Sequence, residues 1–362
     1  MDYEVAVVGG GVIGLAVARA AARAGLRTVV LERESCGAGA SGAAAGMLAP
    51  LAEAHRGPFL DWCVAALRLM SAEAPVIEGE SGVDLELRGG MVHLVPEEEL
   101  AERLERAATA GLPLRRLTQA DLRELAPGVS SGDLAALWSP DEAVLRPSRL
   151  VIGLRQAAER AGAEVREGEA VLGLVEGQNA VRGVRTSRGE VAADHVVVAA
   201  GAWTDAVAPG AGIRPVHGVL VELEPELAPF RPAVFGPDGY AVPRADGRLW
   251  WGATQREIGF ATNVPAEDLA VLIARAVARV PALGDARFLR AWSGLRPAAP
   301  DRQPLVGPDL TRSGLWWAAG HFRNGILLSL LTGEMVAAGL LGRTPPADPR
   351  PFLPARLTAV GR

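Results

Sequence analysis

Six residues near the N-terminus have the types and the spacing of a dinucleotide-binding turn. The run Gly9-Gly10-Gly11-Val12-Ile13-Gly14 matches G-x-G-x-x-G between a strand-like and a helix-like segment. The first glycine permits a tight turn, the second lets the backbone approach a pyrophosphate, and the third lets the helix pack against the strand. Glu32, 18 residues beyond Gly14, ends the next strand-like run, where a carboxylate can accept hydrogen bonds from a ribose.

The segment that follows narrows the choice of dinucleotide. Residues 35–49 consist mainly of Gly, Ala and Ser with almost no charge. Small side chains would let backbone N–H groups approach a large planar cofactor, and Ser41 could bind a phosphate oxygen. The segment therefore favours FAD over NAD, although a flexible Gly/Ala linker would have the same composition.

The elements that must position these residues alternate along the chain between a nucleotide-binding part and insertions. Patterning predicts buried strands at 3–8, 27–32, 195–200 and 315–319, and a hairpin over 83–95 at Arg88-Gly89-Gly90. It predicts helices at 12–24, 59–80, 97–110, 118–125, 148–161, 265–280 and 325–341. We expect an FAD-binding domain at 1–80, 148–213 and 300–345, a substrate domain at 81–147 and 214–299, and an irregular tail at 346–362.

The composition excludes several kinds of function. All 37 basic residues are Arg, so no mechanism that needs a lysine, such as a pyridoxal Schiff base, is available. The net charge of −5 gives no sign of a nucleic-acid-binding face, and two cysteines are too few for a disulfide framework or a thiolate metal site. We find no apolar run of the roughly 18 residues that span a bilayer, and no signal segment, so we expect a cytoplasmic protein.

Several motifs in a fixed order carry a resemblance to a known family. They are the glycine turn, Glu32, Ser41-Gly-Ala-Ala-Ala-Gly-Met47, Val197-Val-Ala-Ala-Gly201-Ala-Trp203, Ser293-Gly-Leu-Arg-Pro297 and Gly320-His-Phe-Arg-Asn-Gly-Ile-Leu327. Together they resemble the D-amino-acid-oxidase-like FAD-dependent oxidoreductases, and most of all the glycine oxidases of the thiamine-biosynthesis type. The resemblance implies an α/β fold, with a Rossmann-like FAD-binding domain and an inserted α+β substrate domain on a mainly antiparallel sheet.

The resemblance also implies a role for individual residues. Arg296 matches the arginine that binds the substrate carboxylate, and Tyr240 and Arg323 match residues that line the substrate pocket. The residues that correspond to cofactor contacts are Gly9, Gly11, Val12, Ile13, Gly14, Glu32, Arg33, Ala40, Ser41, Ala45, Gly46, Met47, Val171, Gly201, His321, Phe322, Arg323, Asn324, Gly325, Ile326 and Leu327.

Physical arguments support some of these roles, and each leaves an alternative open. Arginine is the planar, bidentate partner of a carboxylate, but Arg296 could also be one of many surface arginines. Tyr240 could equally pack in the core with its hydroxyl satisfied. N–H groups at Gly325 could stabilise negative charge on a reduced flavin, or Asn324-Gly325 could simply be a turn. For His321 we favour a packed or backbone-bonded histidine over an acid–base catalyst.

The implied reaction is oxidation of glycine, sarcosine or small D-amino acids. Hydride would pass from the α-carbon to flavin N5, and molecular oxygen and water would then give the oxo acid, ammonia and hydrogen peroxide, serving thiazole synthesis. The alternatives are a D-amino-acid or imino-acid dehydrogenase that reduces a quinone, a non-catalytic flavin-binding protein and a NAD-dependent dehydrogenase.

Some positions depart from the family pattern. Asp238 and Gln255 stand where the family can carry a His and an apolar residue, which predicts a more polar pocket. The lack of lysine argues against the sarcosine-oxidase-type enzymes, which resemble this fold but use a lysine to activate oxygen. The absence of a cysteine after Cys63 predicts non-covalent FAD. A homotetramer is implied by the resemblance alone.

Overall fold

The computed structural model describes residues 3–53, 55–178, 180–226 and 230–359. Within these ranges the strands are β1 Tyr3–Val8, β2 Thr28–Leu31, β3 Met47–Leu48, β4 Arg88–Val95, β5 Arg115–Arg116, β6 Ala135–Val144, β7 Glu164–Arg166, β8 Val171–Gly177, β9 Ala180–Thr186, β10 Gly189–Val198, β11 Arg214–Glu224, β12 Ala233–Gly236, β13 Gly239–Pro243, β14 Leu249–Gly252, β15 Arg287–Ala298, β16 Leu305–Pro308 and β17 Leu315–Ala319. The helices are α1 Val12–Arg23, α2 Ala40–Ala43, α3 Gly57–Ser81, α4 Leu100–Thr109, α5 Gln119–Leu125, α6 Pro147–Arg160, α7 Thr204–Val207, α8 Ala266–Arg279, α9 Gly325–Leu340 and α10 Ala355–Ala359.

The first sheet is the nucleotide-binding one. Its strands lie in the order β16-β17-β10-β1-β2-β7, and β7, β2, β1, β10 and β17 run parallel. Buried runs such as Val5–Val8 suit strands that are covered on both faces. Helices α1, α6 and α9 pack together on one face, and the hairpin of β8 and β9 extends from β10. On the other face, Val181 and Val184 of β9 pack with Ala6 and Val29. In such a Rossmann-like sheet the ligand crevice lies at the carboxyl ends of the strands.

The second sheet has the order β15-β11-β14-β13-β12-β4-β6-β3. Its pairs are antiparallel except for β12 with β4, so the predicted mainly antiparallel sheet is confirmed. Helices α5 and α8 cover one face of it, where their Leu122 and Leu272 pack with buried strand residues such as Val92 and Val221. Strand β3 belongs to the second sheet although it lies in the segment 1–80, and the domain boundaries stay a prediction.

Most of the predicted elements are confirmed within a few residues, and the capping of α5 by Thr118 is present. The predicted hairpin at Arg88-Gly89-Gly90 is wrong, because residues 88–95 form one continuous strand. A Cβ on Gly90 would lie 2.3 Å from the Trp138 ring, and the β4–β6 register shifts between Gly89 and Met91. These glycines therefore make a bulge that accommodates a tryptophan rather than a turn.

Strand β10 and the C-terminal tail differ from the predicted elements in smaller ways. The predicted strand 195–200 is the end of a longer β10 that stops at Val198. The predicted irregular tail contains a 3₁₀ turn at Arg350–Phe352 and the short α10. Phe352 is fully buried and lies 4.0 Å from the Trp62 ring, measured between centroids, so apolar burial orders this part of the tail.

No helix in the described ranges is long and apolar enough to cross a membrane.

Candidate active site

A cavity of about 750 Å³ lies between the two sheets and opens at the carboxyl ends of β1, β2 and β10. It brings together nearly all of the predicted site residues. The members that line it are Gly9, Gly11, Val12, Ile13, Glu32, Arg33, Ala40, Ser41, Ala45, Gly46, Met47, Val171, Gly201, Tyr240, Arg296, His321, Phe322, Arg323, Asn324, Gly325 and Ile326. Gly14 and Leu327 do not line it: Gly14 packs beneath the turn, and Leu327 is a buried core residue.

The glycine turn has the geometry that its sequence predicts. Gly9 has φ +109°, and a Cβ there would lie 2.5 Å from the Ala199 carbonyl oxygen. A Cβ on Gly14 would lie 1.9 Å from the Gly9 oxygen, so any side chain would push α1 away from the turn. At the start of α1, the Val12 N–H donates to the Ser41 hydroxyl over 3.1 Å. The turn therefore brings backbone N–H groups to the cavity wall, where a pyrophosphate can bind.

Glu32 is held at the edge of the same turn. Its two carboxylate oxygens accept hydrogen bonds from the N–H groups of Gly10 at 2.7 Å and Glu34 at 2.9 Å. These bonds fix the carboxylate in the cavity wall at the end of β2, in the position expected for a ribose partner. Beside it, the Arg33 guanidinium lies 3.6 Å from the centroid of the Trp203 ring, which also lines the cavity.

The small-residue segment 43–47 is fixed by donors from the second sheet and is no flexible linker. The Trp292 indole N–H donates to the Ala43 carbonyl at 3.0 Å, and the Leu145 N–H donates to the Gly46 carbonyl at 2.9 Å. The Arg244 guanidinium donates to the carbonyl of Ala45. Gly46 has φ +85°, and a Cβ there would lie 2.0 Å from the Leu145 oxygen.

Arg244 is a buried cation that sequence reasoning missed. Only 4% of the residue is exposed, its guanidinium lies 3.6 Å from the centroid of the Trp250 ring, and it also donates to the Leu145 carbonyl at 3.0 Å. Burial, together with nearby Arg146, lowers the pKa of Arg244 to about 9. The Arg244 guanidinium therefore holds Ala45, a residue of the cavity wall, without lining the cavity itself.

Arg296 occupies the substrate end of the cavity on β15. Its guanidinium donates to the carbonyl oxygens of Thr254 at 3.2 Å and His217 at 3.4 Å. Among the described residues it has no carboxylate partner. Burial lowers the pKa of Arg296 and nearby Tyr240 raises it. A fork-shaped cation without a countercharge is suited to a ligand carboxylate.

Gly218 makes room for that guanidinium, and sequence reasoning missed it as well. A Cβ on Gly218 would lie 2.1 Å from one terminal nitrogen of Arg296 and 2.5 Å from the other. The signal in the sequence was a glycine inside an apolar strand, which often marks the close approach of another group.

Tyr240 stands beside Arg296. Burial raises the pKa of Tyr240, and the nearby charges of Arg296 and Arg323 lower it. The residue pairs with Gly252 on β14, where a Cβ would lie 2.9 Å from the Tyr240 hydroxyl. The tyrosine therefore lines the cavity with a neutral hydroxyl close to the arginine.

Arg323 is already occupied. Its guanidinium donates to both oxygens of Glu53, at 3.0 and 3.2 Å, and to the Gln255 side-chain oxygen at 2.7 Å. Glu53 lines the cavity and no feature of the sequence indicated it. Gln255, one of the two positions that depart from the family pattern, therefore accepts a hydrogen bond from Arg323. Asp238, the other, lines the cavity and is paired with Arg279 at 3.0 Å.

His321 lies in the cavity wall as a neutral, packed residue. Its Nε2 is 2.9 Å from the Thr332 hydroxyl, and its Nδ1 has no partner. Burial lowers the pKa of His321 to about 3. These observations favour the packed histidine over an acid–base catalyst.

Comparisons with known proteins agree with this geometry. The family described as "DAO: FAD dependent oxidoreductase" matches residues 4–338. A glycine oxidase of Pseudomonas aeruginosa is 34% identical over 98% of this chain and 99% of its own length. The "Bifunctional protein ThiO/ThiG" of a Synechocystis species is 34% identical over 92% of this chain and 51% of its own length.

A solved glycine oxidase structure from Geobacillus kaustophilus has a TM-score of 0.91 and 33% identity, over 97% of this chain and 98% of that one. The L-proline dehydrogenase of P. horikoshii has the same TM-score of 0.91 at 21% identity, which shows a shared fold. The matches confirm the predicted α/β fold, FAD as the cofactor and the resemblance to glycine oxidases.

Proposed function

The chain belongs to the FAD dependent oxidoreductase family, and from that premise we propose that it oxidises glycine and other small amines with molecular oxygen. Sarcosine and small D-amino acids are the other proposed substrates. The amine, one O₂ and one water give the oxo acid, ammonia or the corresponding amine, and hydrogen peroxide. The observation that carries the proposal is Arg296, a guanidinium without a carboxylate partner among the described residues, in the same cavity as the glycine turn.

The residues of the nucleotide end would hold the cofactor. The N–H groups of the glycine turn and Ser41 would meet the pyrophosphate, Glu32 the adenosine ribose, and the segment 43–47 with 321–326 the isoalloxazine. The conformation of Gly9 and the room left by Gly14 fit such a ligand. Neither cysteine lines the cavity, which supports non-covalent binding.

At the substrate end, this chain's residues would bind and orient the amine. Arg296 would take the carboxylate through its two terminal nitrogens, and the Tyr240 hydroxyl would donate to it. Bound FAD would supply the hydride acceptor for the α-carbon. We assign no residue as acid or base, because the histidine in the cavity wall is neutral and bonded to Thr332. Catalysis would rest on positioning and on the cofactor's own chemistry.

We also propose that the activity serves thiamine biosynthesis. The link to thiamine biosynthesis is supported by the name of the bifunctional relative. A cytoplasmic location and a homotetramer remain predictions.

The test uses the purified, FAD-loaded protein and glycine in an oxygen electrode. We expect oxygen uptake with stoichiometric peroxide; flavin reduction without oxygen uptake would instead indicate a dehydrogenase, and no flavin bleaching by any amine would indicate a non-catalytic protein. Arg296→Ala should raise KM for glycine by about 100-fold or more, the loss of a buried charge pair, while FAD content stays normal.

Arg290→Ala is the matched control, because Arg290 lies on the same strand but its side chain is 58% exposed and paired with Glu222. It should leave KM unchanged. An unchanged KM in Arg296→Ala would refute the assignment of the carboxylate site.

A further inference from the structure

The charged groups at the substrate end sum to one positive charge. Arg296 and Arg323 are the cations and Glu53 is the anion, and all three lie close enough to shift the pKa of Tyr240. Asp238 and Arg279 form a closed, neutral pair beside them. Arg103 and Arg275 also line the cavity, but Arg103 is paired with Glu99 at 2.9 Å and Arg275 is exposed on α8. The charge balance suits a ligand with one carboxylate and a neutral amine.

The two arginines are presented side by side by the backbone. The Phe322 N–H donates to the Pro297 carbonyl at 2.8 Å, and Ala298 pairs with His321, which fastens the loop before Arg323 to the end of β15. Without a competing anion, this pair of guanidinium groups could bind both carboxylates of a diacid. What distinguishes them is that Arg323 has a carboxylate partner and Arg296 has none.

The chain on either side of Glu53 is held by hydrogen bonds of its own. Two residues before it, the Leu51 N–H donates to the buried Glu142 carboxylate at 2.6 Å, and the Leu51 carbonyl accepts from Arg106 at 2.8 Å. Two residues after it, the His55 ring nitrogen lies 3.1 Å from the Asn324 side-chain amide. Because the backbone two residues before it is anchored and the His55 side chain beyond it is bonded, Glu53 is positioned to meet Arg323.

We propose that Glu53 is a specificity-determining residue that occupies Arg323 and so restricts the site to small monocarboxylate amines, excluding amines with a second carboxylate. The inference rests on the proposed function for its substrates. A second carboxylate in the cavity would have to displace Glu53 from Arg323 and would then face an unpaired Glu53 carboxylate. With Glu53→Gln the substrate end gains one net positive charge, and Arg323 becomes available to a second anion.

The test compares ligands that differ by one carboxylate. Sarcosine and iminodiacetate are both secondary amines of glycine, and acetate and malonate are unreactive analogues whose binding can be followed by perturbation of the flavin spectrum. For the wild-type holoenzyme we expect iminodiacetate to have a much lower kcat/KM than sarcosine, and malonate to bind more weakly than acetate. In Glu53→Gln the kcat/KM for iminodiacetate relative to that for sarcosine should rise about tenfold, and so should the affinity for malonate relative to acetate. A tenfold change is about the value of one hydrogen bond to a charged group.

Asp238→Asn is the matched control, since it removes another cavity-lining carboxylate near Tyr240, which Arg279 already neutralises. It should leave the ratios unchanged. A wild-type enzyme that accepts iminodiacetate as readily as sarcosine, or a Glu53→Gln variant with unchanged ratios, would overturn the proposal. Acetate binding without turnover of any amine would refute the proposed function instead, because the acetate-to-malonate ratio still reports on Glu53.

Discussion

The two ends of the cavity recognise their ligands by different means. At the nucleotide end, the predicted phosphate and ribose contacts are backbone N–H groups and glycines of one continuous βαβ unit, with Glu32 tied to the backbone of its own turn. At the substrate end, the groups are the charged side chains of Glu53, Arg296 and Arg323 and the hydroxyl of Tyr240, which come from distant segments of the chain. Ligand recognition at the nucleotide end depends on backbone conformation and the space around it. Recognition at the substrate end depends on which charged side chains are paired.

This difference predicts how each end responds to mutation. A change of backbone space at the nucleotide end should remove cofactor binding altogether. A change of charge or position at the substrate end should alter ligand affinity while the cofactor stays bound. Four variants test that division, from the largest expected effect to the smallest.

Gly14→Ala should abolish FAD binding. A Cβ at 1.9 Å from the Gly9 oxygen forces α1 away from the turn and moves the N–H groups that meet the pyrophosphate. The measurement is bound flavin per chain, from absorbance of the purified protein. Gly79→Ala is the control, because a Cβ on Gly79 meets nothing within 4 Å, and it should keep its FAD. Normal flavin content in Gly14→Ala would contradict this view of the turn.

Gly218→Ala should raise KM for glycine by about 100-fold with FAD content unchanged, because the added Cβ displaces the Arg296 guanidinium from the carboxylate site. Steady-state kinetics at saturating oxygen measure this effect. For comparison, a Cβ on Gly284 would meet only the Val277 side chain at 3.7 Å, so Gly284→Ala should keep the wild-type KM. Loss of flavin in Gly218→Ala would mean that the two ends are not independent.

Arg244→Met should weaken FAD binding by about tenfold, since it removes a charged donor from the carbonyl of Ala45. The dissociation constant from flavin titration is the measurement. Arg312→Met serves as control, because Arg312 also lies over a tryptophan, Trp317, yet its guanidinium bonds to Asp309 and Pro209, which are not part of the cavity wall. Equal effects of the two substitutions would show that Arg244 acts on general stability alone.

His321→Asn should flatten the acid dependence of stability. Burial lowers the pKa of His321 to about 3, whereas an unfolded histidine titrates near ~6.5. Between these values the unfolded chain binds a proton that the folded chain does not, so stability falls as pH falls. Urea unfolding at two pH values near neutrality and near ~5 should show a loss smaller in the variant by about 2 kcal/mol.

An identical pH dependence in the two proteins would contradict the neutral, buried assignment of His321. His55 and His195 also have lowered pKa values through burial and contribute in the same direction, so the comparison must be between variant and wild type.

The nucleotide end was predictable because its recognition is local in sequence. The spacing of Gly9, Gly11 and Gly14 and the position of Glu32 follow from one strand–turn–helix–strand unit, and the structure places them as expected. The substrate end was not predictable in the same way. Arg296 and Tyr240 came from a family resemblance. Glu53 and Arg244 gave no signal, since Arg323, which pairs with Glu53, and Ala45, which Arg244 holds, are 270 and 199 residues away from them in sequence.

The failed hairpin at Gly89-Gly90 has the same cause. A glycine pair between two apolar runs is a turn signal when only neighbours are considered. Its actual function is to admit Trp138, which lies on β6 and is invisible to local patterning.

Hydrogen bonds tie segment 43–47 to the second sheet, and this arrangement links cofactor binding to the stability of the whole chain. Because both sheets build one cavity, a cofactor bound there contributes free energy to holding them together. A ligand at 100 times its dissociation constant adds about 2.7 kcal/mol by mass action. The resistance of this chain to proteolysis, and so its steady-state abundance, should therefore follow the supply of flavin in the cell.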